Sequence, residues 1–185
     1  AKRVESSDRS LGDESTFGGG SASSMADLDS LGGDVGLDME IVDLAARYTT
    51  EGVLGKGGMG EVLLATDTRL NRKVAIKRIL GEGARSRTAV QRFITEAQSI
   101  AQLDHENIVD IYDYGRDQDG PFLIMQYIGG GSLLERCQQG ALPLEEAVEL
   151  TCQLCGALEM AHANNVIHRD IKPANVLLTN DGIPK

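Results

Sequence analysis

No uninterrupted apolar run in these 185 residues is long enough to span a bilayer, and no signal peptide is visible. Positive charge is also scarce. With 18 basic against 28 acidic residues the net charge is −10, and nothing forms the basic stripe that a phosphate backbone requires, which argues against nucleic acid as a partner. Cysteine occurs three times. Cys152-Gln153-Leu154-Cys155 has the spacing of half a zinc site, but only Cys137 and His162 are conceivable further ligands. Its place inside a helical pattern favours buried free thiols in a reducing compartment.

Apolar residues are scarce in the first quarter of the chain. Up to Leu44 there are ten acidic and three basic residues, much Gly and Ser, and Phe17 as the only aromatic. That stretch shows no sustained period and offers too little apolar surface to offset its ordering entropy, so residues 1–46 are expected to be a disordered acidic leader. The length suits one domain plus such a tail.

The most informative stretch is His168-Arg169-Asp170-Ile171-Lys172-Pro173-Ala174-Asn175, which places a carboxylate, an ammonium and a carboxamide on one short loop. Phosphoryl transfer needs such a set, because it asks for positioning and charge neutralisation more than covalent work. Asp170 can accept the proton of an attacking hydroxyl. Lys172 can neutralise the phosphoryl group, and Asn175 can hold a metal ion by its carbonyl oxygen.

Upstream, Leu54-Gly55-Lys56-Gly57-Gly58-Met59-Gly60-Glu61-Val62 is a loop whose backbone can close over phosphates. A dinucleotide fold would continue into a helix and carry an acidic residue roughly 20 positions on. Here the loop runs instead into Val62-Leu63-Leu64-Ala65 and then Val74-Ala75-Ile76-Lys77, both strand-like. Lys77 sits in an apolar strand, where an unpaired ammonium would be costly to bury, so it wants a carboxylate. The following segment supplies one: Thr88 and Gln91 form a possible capping box, Val90, Phe93, Ile94, Ala97, Ile100 and Ala101 recur at helical spacing, and Glu96 lies beside that stripe. Further on, Phe122–Ile128 is a short apolar run that stops at three glycines. A second capping box follows at Ser132 and Glu135. A longer helix runs from about Pro143 to Ala163, with Leu144, Ala147, Val148, Thr151, Leu154, Cys155 and Leu158 on one face.

These motifs, in this order, resemble the protein kinases from about Tyr48 to Lys185. The order His-Arg-Asp, then Lys two and Asn five residues after the Asp, is similar to their catalytic loop, and Lys172-Pro173 resembles the Ser/Thr branch. Gly57-Gly58-Met59-Gly60 and Ile108–Asp113 look most like the bacterial, eukaryotic-like members. The resemblance implies an α+β, two-lobed protein-kinase fold, with a small lobe of antiparallel strands plus one helix over 47–128 and the start of a helical large lobe over 129–185. It implies ATP and Mg2+ as cofactors. Gly55, Gly57 and Gly60 would cover the phosphates, and Lys77 would bind them and pair with Glu96. Leu54, Val62 and Ala75 would roof the adenine and Leu177 would floor it. Met125 would be the gatekeeper, and the backbone of Gln126 and Ile128 would bond the adenine edge. Asp170, Lys172 and Asn175 would be catalytic, with Asn175 also a metal ligand, and His168 would brace the loop. Arg169 would serve a phosphorylated activation loop.

Asn180-Asp181-Gly182 reads as a hairpin turn between a strand over 175–178 and its return at Ile183-Pro184-Lys185. The family's magnesium Asp would follow shortly, so the chain is expected to be a fragment of a larger protein and inactive alone. The parent's implied partners are proteins with Ser or Thr acceptors. The implied location is cytoplasmic, with any membrane anchor placed beyond Lys185. Two alternatives stand beside this reading: a catalytically silent, pseudokinase-like scaffold that binds a nucleotide or a partner, and a small-molecule phosphotransferase. The Arg169 and Lys172-Pro173 pattern ranks the latter last.

Overall fold

The computed structural model of the chain describes residues 41–57 and 60–185; the expectation of disorder over 1–40 lies outside them, as do Gly58 and Met59. The described residues form an antiparallel sheet of five strands in the order β1-β2-β3-β5-β4. These are β1 (Tyr48–Gly57), β2 (Gly60–Asp67), β3 (Arg72–Ile79), β4 (Ile111–Arg116) and β5 (Pro121–Gln126). One face carries a core of Tyr48, Leu63, Ala65, Val74, Ile76, Phe122 and Ile124, with Tyr112 packed against it. Alternation along β2 and β3 produces this, since every second side chain reaches the same face.

Leu44 joins that core at 9% exposed, within a 3-10 turn over Leu44–Ala46 capped by the Asp43 side chain. The last residues assigned to the leader therefore belong to the folded unit. The reason is energetic: Leu44 buries a full apolar side chain, worth about 1.5–3 kcal/mol. Arg47 then clamps the start of β1 to the end of β2, with Nη2 2.8 Å and Nε 3.3 Å from the two oxygens of buried Asp67.

Between β3 and β4 lie a short α1 (Glu82–Arg85) and α2 (Arg87–Ala101), which buries Val90, Ile94 and Ala97. The helix begins two residues earlier than Thr88 suggested. Ser86 is the N-cap, its hydroxyl accepting the Ala89 N–H at 3.3 Å, and Gln91 bonds Thr95 instead. After β5, the chain forms α3 (Leu133–Gln138) and α4 (Leu144–Ala163). The capping box at Ser132 and Glu135 is present in both directions. The boundaries of α4 are as expected, but its buried residues are Leu150, Ala157 and Ala161. Leu144, Val148, Thr151 and Cys155 of the expected stripe are exposed, while Ala147, Leu154 and Leu158 are half-buried. Apolar residues occur on both sides of this helix, and packing against the rest of the fold covers the side that carries Leu150, Ala157 and Ala161. All three cysteines are exposed, contrary to the expectation of buried thiols, because Cys152 and Cys155 fall on the uncovered side of α4 and Cys137 on the surface of α3.

Two local features join the sheet to the helical part. The segment 130–133 pairs with 176–178 through Gly130 N–H to Leu178 O (2.9 Å), Leu178 N–H to Gly131 O (2.8 Å) and Leu133 N–H to Val176 O (2.8 Å). A Cβ at Gly130 would overlap the carbonyls of Leu178 and Thr179, so the approach requires glycine. Asn107, buried in the loop after α2, donates to Gln153 Oε1 of α4 (3.3 Å) and to the Pro184 carbonyl (2.8 Å).

Candidate active site

The glycine loop joins β1 to β2. Gly55 pairs with Val62 and Gly57 with Gly60 across the hairpin. A Cβ at Gly55 or Gly57 would meet nothing within 4 Å, so the loop has open space beside it where a phosphate can approach the backbone. Gly60 has a different reason to be glycine. Its Cβ would run into the backbone carbonyl of Arg78, so it permits the close β2–β3 contact rather than access to a ligand.

Beneath the loop, Val62 pairs with Lys77 and Ala75 with Met125. Ala75 is buried, Val62 and Met125 are half-buried, and Leu54 is 46% exposed on β1. β5 ends at Gln126, whose N–H bonds the Asp110 carbonyl at 2.9 Å, and Ile128 is buried two residues later. Leu177, half-buried, is held by two backbone bonds to Lys185 (2.9 and 2.7 Å). The hairpin expected around Asn180-Asp181-Gly182 is therefore present, starting at Leu177; Asn175 lies instead in a 3-10 turn over Pro173–Asn175.

Lys77 and Glu96 line one small cavity of about 30 Å3 with Phe93, Ala97, Ile100 and Leu123. Both side chains are exposed, and among the described residues no ion pair joins them. The Lys77 ammonium instead stands 6.0 Å from the Phe93 ring centroid. The argument that burial obliges Lys77 to find a carboxylate therefore fails. The strand is apolar, but this face of it opens to solvent, and water can hydrate the ammonium.

The second cluster is the loop after α4. Asp170 Oδ2 accepts from Lys172 Nζ at 2.8 Å and from Asn175 Nδ2 at 2.9 Å, and Asn175 Nδ2 also lies 2.9 Å from the Asp170 carbonyl. His168 Nδ1 accepts the Asp170 N–H at 3.3 Å, a bracing rather than proton-transferring position. Arg169 between them has φ 65°, the left-handed region that a non-glycine residue enters at a cost. The Lys172 ammonium first, and the Asn175 amide second, hold the Asp170 carboxyl below the usual carboxylate range, so it stays ionised and open to solvent at neutral pH. Both NH2 contacts of Asn175 point at Asp170, which leaves its carbonyl oxygen as an acceptor for a hard cation. Among the described residues no group of three or more His, Cys, Asp or Glu could hold a metal. Asn175 is thus one oxygen ligand, not a closed metal centre.

Sequence reasoning missed Gly130 and Asn107. The run of three glycines signals the first, whereas nothing local marks a buried Asn whose partners lie 46 and 77 residues away.

An open glycine loop, a lysine and a glutamate on one cavity, and an exposed, ionised Asp braced by Lys and Asn equip this fold for phosphoryl transfer. A protein kinase domain model matches residues 48–185. The Ser/Thr kinase PksC of Streptomyces coelicolor is 43% identical over 148 residues, 75% of this chain and 27% of that protein. PrkC of Bacillus subtilis is 41% identical over 140 residues (75% and 22%), and PknB of Mycobacterium tuberculosis 39% over 141 (74% and 22%), both also named Ser/Thr kinases. The chain belongs to the protein kinase family. It spans about a quarter of the length of these relatives. Among the described residues no helix is long and apolar enough to cross a membrane.

Proposed function

We propose that the full protein transfers the γ-phosphoryl group of ATP to Ser or Thr hydroxyls of proteins. The observation that carries this reading is the Asp170 carboxylate, exposed, ionised and fixed by Lys172 at 2.8 Å and Asn175 at 2.9 Å. In this reading Asp170 accepts the hydroxyl proton as the acceptor oxygen bonds to the γ-phosphorus and the bond to the β–γ bridging oxygen breaks. Lys172 offsets the charge on the group in transit. Asn175 Oδ1 would be a ligand of magnesium, which when bound supplies neutralisation of phosphate charge. Gly55 and Gly57 leave the backbone free to approach phosphates, Gly60 sets the base of that loop, and Lys77 would reach the phosphates, with Glu96 as its partner once α2 brings it closer. Leu54, Val62, Ala75 and Leu177 would enclose the adenine, with Met125 behind it and the Gln126 and Ile128 backbone at its edge. ATP as donor places the domain in the cytoplasm. The small lobe would be 47–128 and the large lobe would begin at 129, at the glycine run.

Assay of the full-length protein with radiolabelled ATP tests this. Asp170→Asn and Lys77→Met, each confirmed folded, should lower transfer by orders of magnitude, since each removes a charge used chiefly in the transition state. The label should be found on phosphoserine and phosphothreonine. Wild-type rates in Asp170→Asn would overturn its role, and label on phosphotyrosine alone would overturn the substrate class.

A further inference from the structure

The loop between α2 and β4 reaches both sides of the proposed adenine site. The Asp110 carbonyl accepts the Gln126 N–H at 2.9 Å, the Ile108 carbonyl accepts from Lys185 Nζ at 3.4 Å, and Asn107 Nδ2 donates to the Pro184 carbonyl at 2.8 Å. Gln126 is the last residue of β5. Lys185, next to Pro184, exchanges two backbone bonds with Leu177, at 2.9 and 2.7 Å. Residues 107–110 therefore link the end of β5 to the strand pair that carries Leu177. Asn107 is the buried member of this link, at 8% exposed. Its second Nδ2 bond goes to Gln153 Oε1 at 3.3 Å, and its own N–H is accepted by His105 Nδ1 at 3.0 Å. Pro184 is fully buried and has no N–H, so its carbonyl is the one backbone hydrogen-bonding group by which it can be held. An apolar side chain would fill the same space without desolvating an amide. What the amide adds is direction and distance.

We propose that Asn107 is a positioning residue for the nucleotide base: through the Pro184 carbonyl and the Leu177–Lys185 pair it sets the separation between Leu177 and the Gln126 backbone. The inference rests on the assignment of Leu177 and Gln126 to the adenine made above. A slot for a planar ring depends on that separation, because dispersion contacts fall off within a fraction of an ångström. Without the Asn107 donor, the Pro184 carbonyl is left buried and unmet, and the return strand is free to shift with Leu177 attached to it. The groups assigned to the phosphates, Gly55, Gly57 and Lys77, lie on β1 and β3, and Asp170 lies in the loop after α4. Loss of the anchor should therefore weaken recognition of the base and spare both the phosphates and the transfer step.

The test compares ATP with inorganic tripolyphosphate, which has the phosphates and no base, on the full-length protein. Calorimetry with magnesium should show ATP binding to Asn107→Ala weakened by about fivefold or more and tripolyphosphate binding within about twofold of wild type. Phosphoryl transfer at saturating ATP should also stay within about twofold. Gln153→Ala removes the bond to α4 and leaves the Pro184 bond, so it should keep wild-type ATP affinity within about twofold. If Asn107→Ala does not fold, Asn107→Ser, with a donor too short to span the same distance, takes its place with the same expectation. An unchanged ATP affinity would overturn the proposal. So would equal weakening of ATP and tripolyphosphate, the mark of a general loosening, or a Gln153→Ala loss as large as that of Asn107→Ala, which would assign the effect to α4. A wild-type protein without ATP-dependent transfer would overturn the proposed activity and this inference with it, whereas wild-type transfer beside an unchanged ATP affinity in Asn107→Ala would overturn this inference alone.

Discussion

Replacing Asp67 by Asn separates charge from shape at the point where β1 and β2 are tied together. Asp67 is 1% exposed and accepts four hydrogen bonds: from Arg47 Nε and Nη2, and from the N–H groups of Arg69 (3.0 Å) and Leu70 (3.2 Å). An Asn of the same volume can keep the turn bonds with its carbonyl oxygen, but its NH2 group then faces the guanidinium, donor against donor. Breaking a fully buried ion pair costs about 3–5 kcal/mol. Here the stranded Arg47 is 31% exposed and lies 3.9 Å from Asp113, so water and that carboxylate compensate part of the loss. The expected destabilisation is about 2–3 kcal/mol, in the range for charge-assisted hydrogen bonds. With a urea slope of about 1–3 kcal/mol/M, the midpoint should fall by roughly 0.7–3 M. The pH dependence has a definite sign. Bonding to Arg47, aided by the Leu70 and Arg69 amides and opposed by burial, holds the Asp67 carboxyl below its ordinary value. A depressed carboxylate contributes stability that is fully present above the unfolded pKa, near ~3.9, and is lost as pH falls through the lower folded value. The difference between wild type and Asp67→Asn should therefore be flat from about pH 5 to 8 and shrink below about pH 4. Urea melts monitored by circular dichroism across that range check this. Equal midpoints at pH 7, or a difference that grows on acidification, would refute the electrostatic account.

The glycines of the β1–β2 loop should separate by role. Gly60→Ala, which drives a methyl into the Arg78 carbonyl, should lose at least about 2 kcal/mol of stability, whereas Gly57→Ala, with open space around it, should change stability by about 0.5 kcal/mol or less, both read from urea melts. Gly130→Ala should displace the 130–133 segment from 176–178, and in the full-length protein calorimetry should show nucleotide affinity lowered by about tenfold or more, given the loss of about one or two backbone bonds beside the glycine run that follows β5.

Much of this protein was legible in its sequence because the relevant interactions are local. Asp170, Lys172 and Asn175 lie within six residues, so one short turn suffices to bring the ammonium and the amide onto the carboxylate. Ser132 and Glu135 satisfy each other across one helical turn, and Pro143 marks the start of α4 without reference to anything distant. The strand-loop-strand order around Gly55 and Gly57 was likewise sufficient to set aside a dinucleotide fold. Other features needed the tertiary structure. Two hydroxyl residues, Ser86 and Thr88, could each have capped α2, and only the folded chain shows that Ser86 is the one that accepts the Ala89 N–H. Helix α4 carries apolar residues on two sides, and only its neighbours determine that Leu150, Ala157 and Ala161 are covered while Leu144 and Val148 are not. β4, with Asp113, Gly115 and Arg116, is too polar to announce itself and is a strand because β5 pairs with it. Lys77 sits in an apolar strand in either view. Period-two alternation establishes that it has two faces, but only the assembled sheet shows that the lysine face is the open one, where charge can remain hydrated and available to a phosphate.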